Sequence, residues 1–368
     1  MDTVFRAMMK DARFDPQVLV CPYKNDSPDA ALERMEVVKA YFLEQGYPVT
    51  SAYDVSRLAW VHLDELRPDI VFFTNANKVT RDEYYEQAFL HYLSCYVPYY
   101  FLATDHAGDD AAYNMTFHNS MWRIFMPHRD AVEKARVVAD NDASNCVLTG
   151  YPASEPLLES SVGSRSAWKD QTSPKKRVIF APHHTISRKG RRLSNFLTYA
   201  DFMVELSQRH AEEVQWSFKP HPMLKEKLYQ EESWGKARTD RYFRFWEESV
   251  HTQLDEGGYV ELFQQSDAMI HDCSSFLVEY LLVSKPCLYL LGDQAQEDLI
   301  NAFGQKALGA HRKAVSPADI ENFVLSLKEE GVGVTDMHRR FLEDEIWPLH
   351  EEQLPSERIL SLLARELA

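Results

Sequence analysis

Ser266-Asp267-Ala268-Met269-Ile270-His271-Asp272-Cys273-Ser274-Ser275 is the stretch that decides the fold. Its apolar run is too short for a helix and reads as a buried strand. The strand leaves through small polar residues into Phe276-Leu277-Val278-Glu279-Tyr280-Leu281-Leu282, an apolar segment that reads as a helix. A buried strand passing through a polar turn into a helix is the building unit of a parallel, doubly wound sheet. Earlier in the chain, Trp216-Ser217-Phe218 ends in the same way, in Lys219-Pro220-His221-Pro222. Ligands of open α/β sheets bind outside the carboxyl ends of the strands, so the two tips point to one shared anion site.

Working outward, strands are expected at residues 18–21, 69–73, 98–103 and 146–148, with helices at 4–10, 30–44 and 82–94. Residues 151–176 are rich in Ser, Pro and charge and lack periodicity, which marks a linker. The alternation resumes with strands at 178–180, 214–218, 268–270 and 287–291 and helices at 196–209 and 276–283. Amphipathic helices at 319–328 and 358–367 close the chain. The expected organisation is an α/β protein of two Rossmann-like doubly wound domains facing a cleft. An amino-terminal domain spans 1–155, a linker 156–176, a second domain 177–315, and closing helices 316–368. Clefts between such halves are preferred ligand sites.

The chain length of 368 residues exceeds the size at which one hydrophobic core keeps growing, and 45% hydrophobic residues suffice for two. A formal net charge of -16 excludes a nucleic-acid binder that works through a broad basic surface, so an anionic substrate needs a local basic pocket. The five cysteines are dispersed and form no Cys-x-x-Cys pair, which fits a reducing cytoplasm and argues against a disulfide framework. No run of about 18 apolar residues is present. Any membrane contact is therefore expected to be peripheral, at the inner face.

Several residues carry candidate chemistry. Asp272, Ser274 and Ser275 sit at the expected helix start, where hydroxyls and backbone N–H groups can cradle an anion. Glu279 follows Ser275 by one helical turn, placed to accept from ribose hydroxyls. The bland alternative is an N-cap serine and a solvated glutamate. Pro220 and Pro222 bracket His221 and restrict the backbone on both sides, fixing an imidazole beside Lys219. Ala181-Pro182-His183-His184-Thr185 follows the first strand of the second half, with Arg188, Lys189, Arg191 and Arg192 after it. His183, His184 and Thr185 read as a loop over phosphates, and the arginines as that or as a solvated face. In the first half Thr104-Asp105-His106-Ala107-Gly108 offers His106 as a general base, or as the opening of a helix. His183, His184, His221, His271 and Asp272 could also ligate a metal. No His-Glu-x-x-His spacing supports that reading, and adjacent histidines usually diverge.

Lys219-Pro220-His221-Pro222, Ser266-Asp267 through Asp272-Cys273-Ser274-Ser275, Glu279-Tyr280 and Lys285-Pro286 together resemble the CDP-glycerol glycerophosphotransferase family, the teichoic-acid and capsule polymer synthases. The resemblance is strongest from 178 to 291 and extends through Arg67-Pro68-Asp69, Val97-Pro98-Tyr99 and Thr149-Gly150-Tyr151-Pro152. It implies a GT-B fold, a CDP-activated polyol donor, a polysaccharide or lipid-linked acceptor, no cofactor or metal, and a catalytic histidine in each domain. His221 matches the second histidine and His106 the first. Two departures stand out. Asp105-His106-Ala107-Gly108 replaces the family's Trp-His-Gly-Thr, and Pro182-His183-His184-Thr185 replaces a Pro-Thr-aromatic-Arg pattern. The helix expected at 4–10 also stands where relatives begin with a strand.

Overall fold

The computed structural model describes residues 1–105, 108–159, 166–187, 192–329 and 333–367. Its strands are β1 Val18–Val20, β2 Val49–Ser51, β3 Tyr53–Asp54, β4 Ala59–Trp60, β5 Ile70–Phe73, β6 Leu93–Tyr96 and β7 Arg123–Met126. They continue with β8 Cys146–Leu148, β9 Lys176–Ala181, β10 Val214–Phe218, β11 Thr252–Leu254, β12 Ala268–His271, β13 Cys287–Leu290 and β14 Arg312–Ala314. The chain divides into two units. One comprises Met1–Tyr100, Ala107–Ala153 and Leu349–Ala368; the other comprises Phe101–His106 and Ser154–Pro348.

The second unit is built on a six-stranded sheet in the order β11-β10-β9-β12-β13-β14, with every neighbouring pair parallel. The chain winds outward from β9 through β10 to β11, returns to the other side of β9 as β12, and winds outward again. This reversal makes the β9/β12 boundary a topological switch point, the crevice where such sheets bind ligands. Phe180 pairs with Phe218 on one side and with Ile270 on the other, so the three central strands end level. Both sheet faces are covered, and Val178, Ile179, Phe180, Met269 and Ile270 are all fully buried. That is why these strands read as continuous apolar runs without alternation. The helix Phe196–Arg209 lays Phe196, Tyr199, Ala200, Met203 and Leu206 into the core beside Trp216, Phe218 and Trp246. Burial on this scale contributes about 1.5–3 kcal/mol for each large apolar side chain.

The first unit carries a parallel sheet in the order β5-β6-β7-β8, a parallel pair β1-β2 and an antiparallel pair β3-β4. One of its cores gathers Val20, Met35, Ala52, Leu63 and Tyr84. Another joins Val4 and Met8 of the helix Asp2–Met9 to Ile359 and Leu363 of the final helix Pro355–Glu366, with Cys95 and Phe125. The two closing helices thus part company: Pro317–Ser326 stays with the second unit, and Pro355–Glu366 goes to the first.

Two local expectations are corrected. The helix expected over 82–94 stops earlier, as Glu86–His91, and Leu93–Tyr96 is strand β6, with Ser94, Cys95 and Tyr96 buried. The strand expected at 98–103 does not form. Leu102 takes a left-handed φ of 52°, which an extended run cannot contain. From Phe101 on, the chain instead packs within the second unit: the Asp105 N–H donates to Leu299 O at 2.8 Å, and Asn301 Nδ2 donates to Leu102 O at 2.7 Å. Gly304 permits the approach, since a Cβ there would run into the Ala103 carbonyl oxygen and lie 2.6 Å from Ile300 Cγ2. Gly304→Ala is accordingly expected to lower stability by about 1–3 kcal/mol in thermal unfolding, as overpacking does. Gly309→Ala, whose Cβ would meet only Met337 Cε at 3.7 Å, serves as the control and should stay within about 0.5 kcal/mol.

Candidate functional site

The tips of β9, β10 and β12 meet at the switch point, with β10 and β12 on either side of β9. At ordinary strand spacing the outer two tips stand about 10 Å apart, a span one diphosphate with its substituents bridges. The shared site expected from the two strand exits is therefore geometrically available.

Three imidazoles occupy it. The ring centroids of His183 and His184 lie 4.4 Å apart, those of His184 and His221 4.1 Å, and those of His183 and His221 5.2 Å. The expectation that the adjacent histidines diverge is thus corrected: both rings turn to the same side, next to His221. Backbone contacts set the His221 loop, whose N–H donates to Pro182 O at 3.1 Å. The Met223 N–H donates to His221 Nδ1 at 3.2 Å. With Nδ1 accepting, the ring proton belongs on Nε2. Burial, helped by the charge of Lys227, holds the ring's pKa down to about 4, so His221 is neutral at ordinary pH. A neutral imidazole with a fixed Nε2–H is a hydrogen-bond donor for an anionic oxygen.

Behind the rings, fully buried Asp272 acts as a hub. It accepts from the His183 N–H at 2.6 Å, the Asn195 N–H at 2.5 Å and Ser194 Oγ at 3.2 Å. Burial pushes its carboxyl up to about 7 against the pull of those donors. Asp272 was expected among the phosphate-binding residues. In the structure its oxygens face the protein, and it positions the loop that carries His183 and His184. Thr185 Oγ1 lies 2.9 Å from His183 Nδ1 and accepts from the Leu193 N–H at 3.0 Å, orienting the His183 ring.

The remaining expected residues are distributed as follows. Ser274 and Ser275 form a half-exposed turn at the exit of β12. The helix expected over 276–283 divides into one α turn, Phe276–Glu279, and a 3-10 turn, Tyr280–Val283. So short a helix has little macrodipole, and any cradle there depends on the serine hydroxyls and the turn N–H groups. Glu279 is buried, with the Tyr259 hydroxyl hydrogen-bonded to it; burial and then the Glu279 charge raise the Tyr259 pKa. Lys219 is buried as well. Its Nζ donates to Gly257 O at 2.7 Å and Asp255 O at 3.4 Å, tying the loop after β11 to β10, and desolvation lowers its pKa. His271 belongs to a different place: its Nε2 lies 3.1 Å from Nε2 of His311, both rings fully or nearly fully buried. His106 lies outside the described residues, as do Arg188, Lys189 and Arg191.

Sequence reading missed Ser194, Asn195 and Gln296. Asn195 Nδ2 donates to Leu290 O at 2.9 Å and to Gln296 Oε1 at 3.0 Å, linking the loop after β9 to the end of β13. Asn195 directly precedes the helix Phe196–Arg209, and that capping position was the available signal. Gly292 completes the link, because a Cβ there would run into Asn195 Oδ1.

Residues 127–297 match the family described as CDP-Glycerol:Poly(glycerophosphate) glycerophosphotransferase. The family resemblance holds. The matched span contains every strand tip of the site. No curated protein matches the chain by sequence. Among solved structures, the UDP-GlcNAc 2-epimerase of Methanocaldococcus jannaschii superposes with a TM-score of 0.58 at 13% identity, covering 99% of this chain and 95% of that one. The Neisseria meningitidis UDP-GlcNAc 2-epimerase gives 0.56 at 12% identity, with 98% and 95% covered. The wall teichoic acid polymerase TagF gives 0.52 at 14% identity, with 81% and 73% covered. At these identities the likenesses carry the fold, a GT-B arrangement of Rossmann-like units. Among the described residues no helix is long and apolar enough to cross a membrane.

Proposed function

We propose that the protein transfers glycerophosphate, or a related polyol phosphate, from a CDP-activated donor to a hydroxyl of a surface polysaccharide or its lipid-linked primer, at the inner face of the membrane. The observation that carries this reading is the convergence of the β9, β10 and β12 tips at the switch point of a segment of glycerophosphotransferase type. A base, assigned to His106, takes the proton of the acceptor hydroxyl. The acceptor oxygen then bonds to the phosphorus that bears the polyol, the bond from that phosphorus to the bridging oxygen breaks, and CMP departs with the electron pair. His221 donates its Nε2–H to the charge that builds on the phosphate. His183, His184, Thr185, Ser274 and Ser275 hold the diphosphate, Lys219 and Asp272 set the loops that present them, and Glu279 with Tyr259 faces the ribose.

The fold shared with UDP-GlcNAc 2-epimerases favours one second reading, chemistry on a nucleotide sugar. A donor screen separates the two. Incubation with CDP-glycerol, CDP-ribitol and UDP-GlcNAc is expected to release CMP from a CDP-polyol when acceptor is present. UDP release or epimerised sugar with the CDP donors inert would overturn the transfer reading. Nucleotide binding without turnover of any donor would make the protein a non-catalytic relative.

A further inference from the structure

The three imidazoles that converge at the strand tips have a second capacity. One ring nitrogen from each of His183, His184 and His221 lies within 4.8 Å of the others. The His183–His221 centroid separation of 5.2 Å is the one tetrahedral coordination by three imidazoles demands, and the 4.4 and 4.1 Å separations require the His184 ring to swing outward by up to about 1 Å. With metal–nitrogen bonds of about 2.0–2.1 Å, three such rings sit about 5 Å apart. Second-sphere support is also in place. His183 Nδ1 accepts from the Thr185 N–H at 3.3 Å and lies 2.9 Å from Thr185 Oγ1, itself held by the Leu193 N–H, so the ring is fixed in place; coordination through Nε2 makes Nδ1 a donor to Thr185 Oγ1 and gives up the 3.3 Å contact. Asp272 clamps the His183 backbone at 2.6 Å, so the ring's base is rigid.

We infer that His183, His184 and His221 form a binding site for a borderline divalent cation of the zinc class, with a fourth position left for water or a phosphate oxygen. Three neutral nitrogen ligands favour zinc, cobalt or nickel over magnesium or calcium, which prefer oxygen. The ion and the Met223 N–H make opposite demands on His221: coordination through Nε2 moves the ring proton to Nδ1 and gives up the 3.2 Å contact. Two neutral hydrogen bonds, this one and that of the Thr185 N–H to His183 Nδ1, are a small loss beside three metal–imidazole bonds. The site shares its residues with the proposed transfer centre, yet it is tested on the protein alone, without donor or acceptor. It can therefore fail while the transfer reading stands, and the reverse.

The test is titration of chelator-stripped full-length protein with Zn²⁺ by calorimetry and with Co²⁺ by visible absorption. One equivalent is expected to bind, with cobalt d–d bands of tetrahedral intensity. His184→Ala and His183→Ala should each abolish the bands, and Thr185→Val should weaken binding by about 10–100-fold as loss of a supporting hydrogen bond does. Circular dichroism of each variant reports whether it folds. Should a variant fail to fold, loss of wild-type binding on carbethoxylation of the histidines, and its return with hydroxylamine, replaces that arm. Absence of saturable binding by the wild type, cobalt bands of octahedral weakness, or affinity unchanged in folded histidine variants would each overturn the inference, the last by placing the ion on the acidic surface.

Discussion

His221→Ala is expected to lower kcat for CDP-donor cleavage by about 100- to 1000-fold, the cost of removing one positioned donor from a developing oxyanion. The expectation rests on how the ring is held. The Met223 N–H occupies Nδ1 and burial keeps the ring neutral, so the one proton is committed to Nε2 before the donor arrives. Alanine removes that proton and leaves the loop, because Lys219 N–H to Phe180 O at 2.8 Å and His221 N–H to Pro182 O at 3.1 Å are backbone bonds. The loss should therefore appear in kcat more than in donor affinity. His221→Gln, which keeps an N–H donor without the ring, should recover part of it. Turnover by His221→Ala within a few-fold of wild type, at an unchanged thermal midpoint, would remove His221 from the mechanism.

Asp272→Ala is expected to act on the fold itself. It strips the acceptor from the His183 N–H, the Asn195 N–H and the Ser194 hydroxyl, all in the buried interior. Each buried donor left without a partner costs about 1–3 kcal/mol, so the total loss should reach at least about 3 kcal/mol. For a unit of this size that lowers the melting temperature by about 6–12 °C. Asp272→Asn should fall between the two, since its amide keeps one acceptor oxygen but turns N–H groups toward N–H groups. A variant that melts with wild type while losing nucleotide binding would return Asp272 to direct contact with phosphate.

How much of this was legible in the sequence varies with the reach of the interactions. The helix Phe196–Arg209 is bounded as its spacing of Phe196, Tyr199, Ala200, Met203 and Leu206 requires, because that pattern is local. The strand exits expected at 180, 218 and 270 were legible for the same reason, and the strands end at Ala181, Phe218 and His271. Residues 98–103 were not. Tyr99, Tyr100, Phe101 and Leu102 have strand composition, but the left-handed turn at Leu102 and the docking on Leu299 and Asn301 are tertiary facts. Likewise the identities of His183, His184 and Asp272 marked a site, whereas the role of Asp272 depends on partners 89, 78 and 77 residues away. Nothing in a stretch of ten residues reports that an aspartate faces inward to staple a loop. The orientation of the His183 ring is equally a product of the Thr185 and Leu193 contacts.

The interleaving of the two units has a practical consequence for anyone wishing to dissect the molecule. A cut after Ala153 yields neither unit intact: the leading fragment forfeits the helix that covers Val4 and Met8, and the trailing one forfeits the strip that Asn301 and Gly304 are shaped to receive. Split-gene or single-unit expression would therefore need grafted ends, with residues 355–366 fused onto the leading piece through a designed tether.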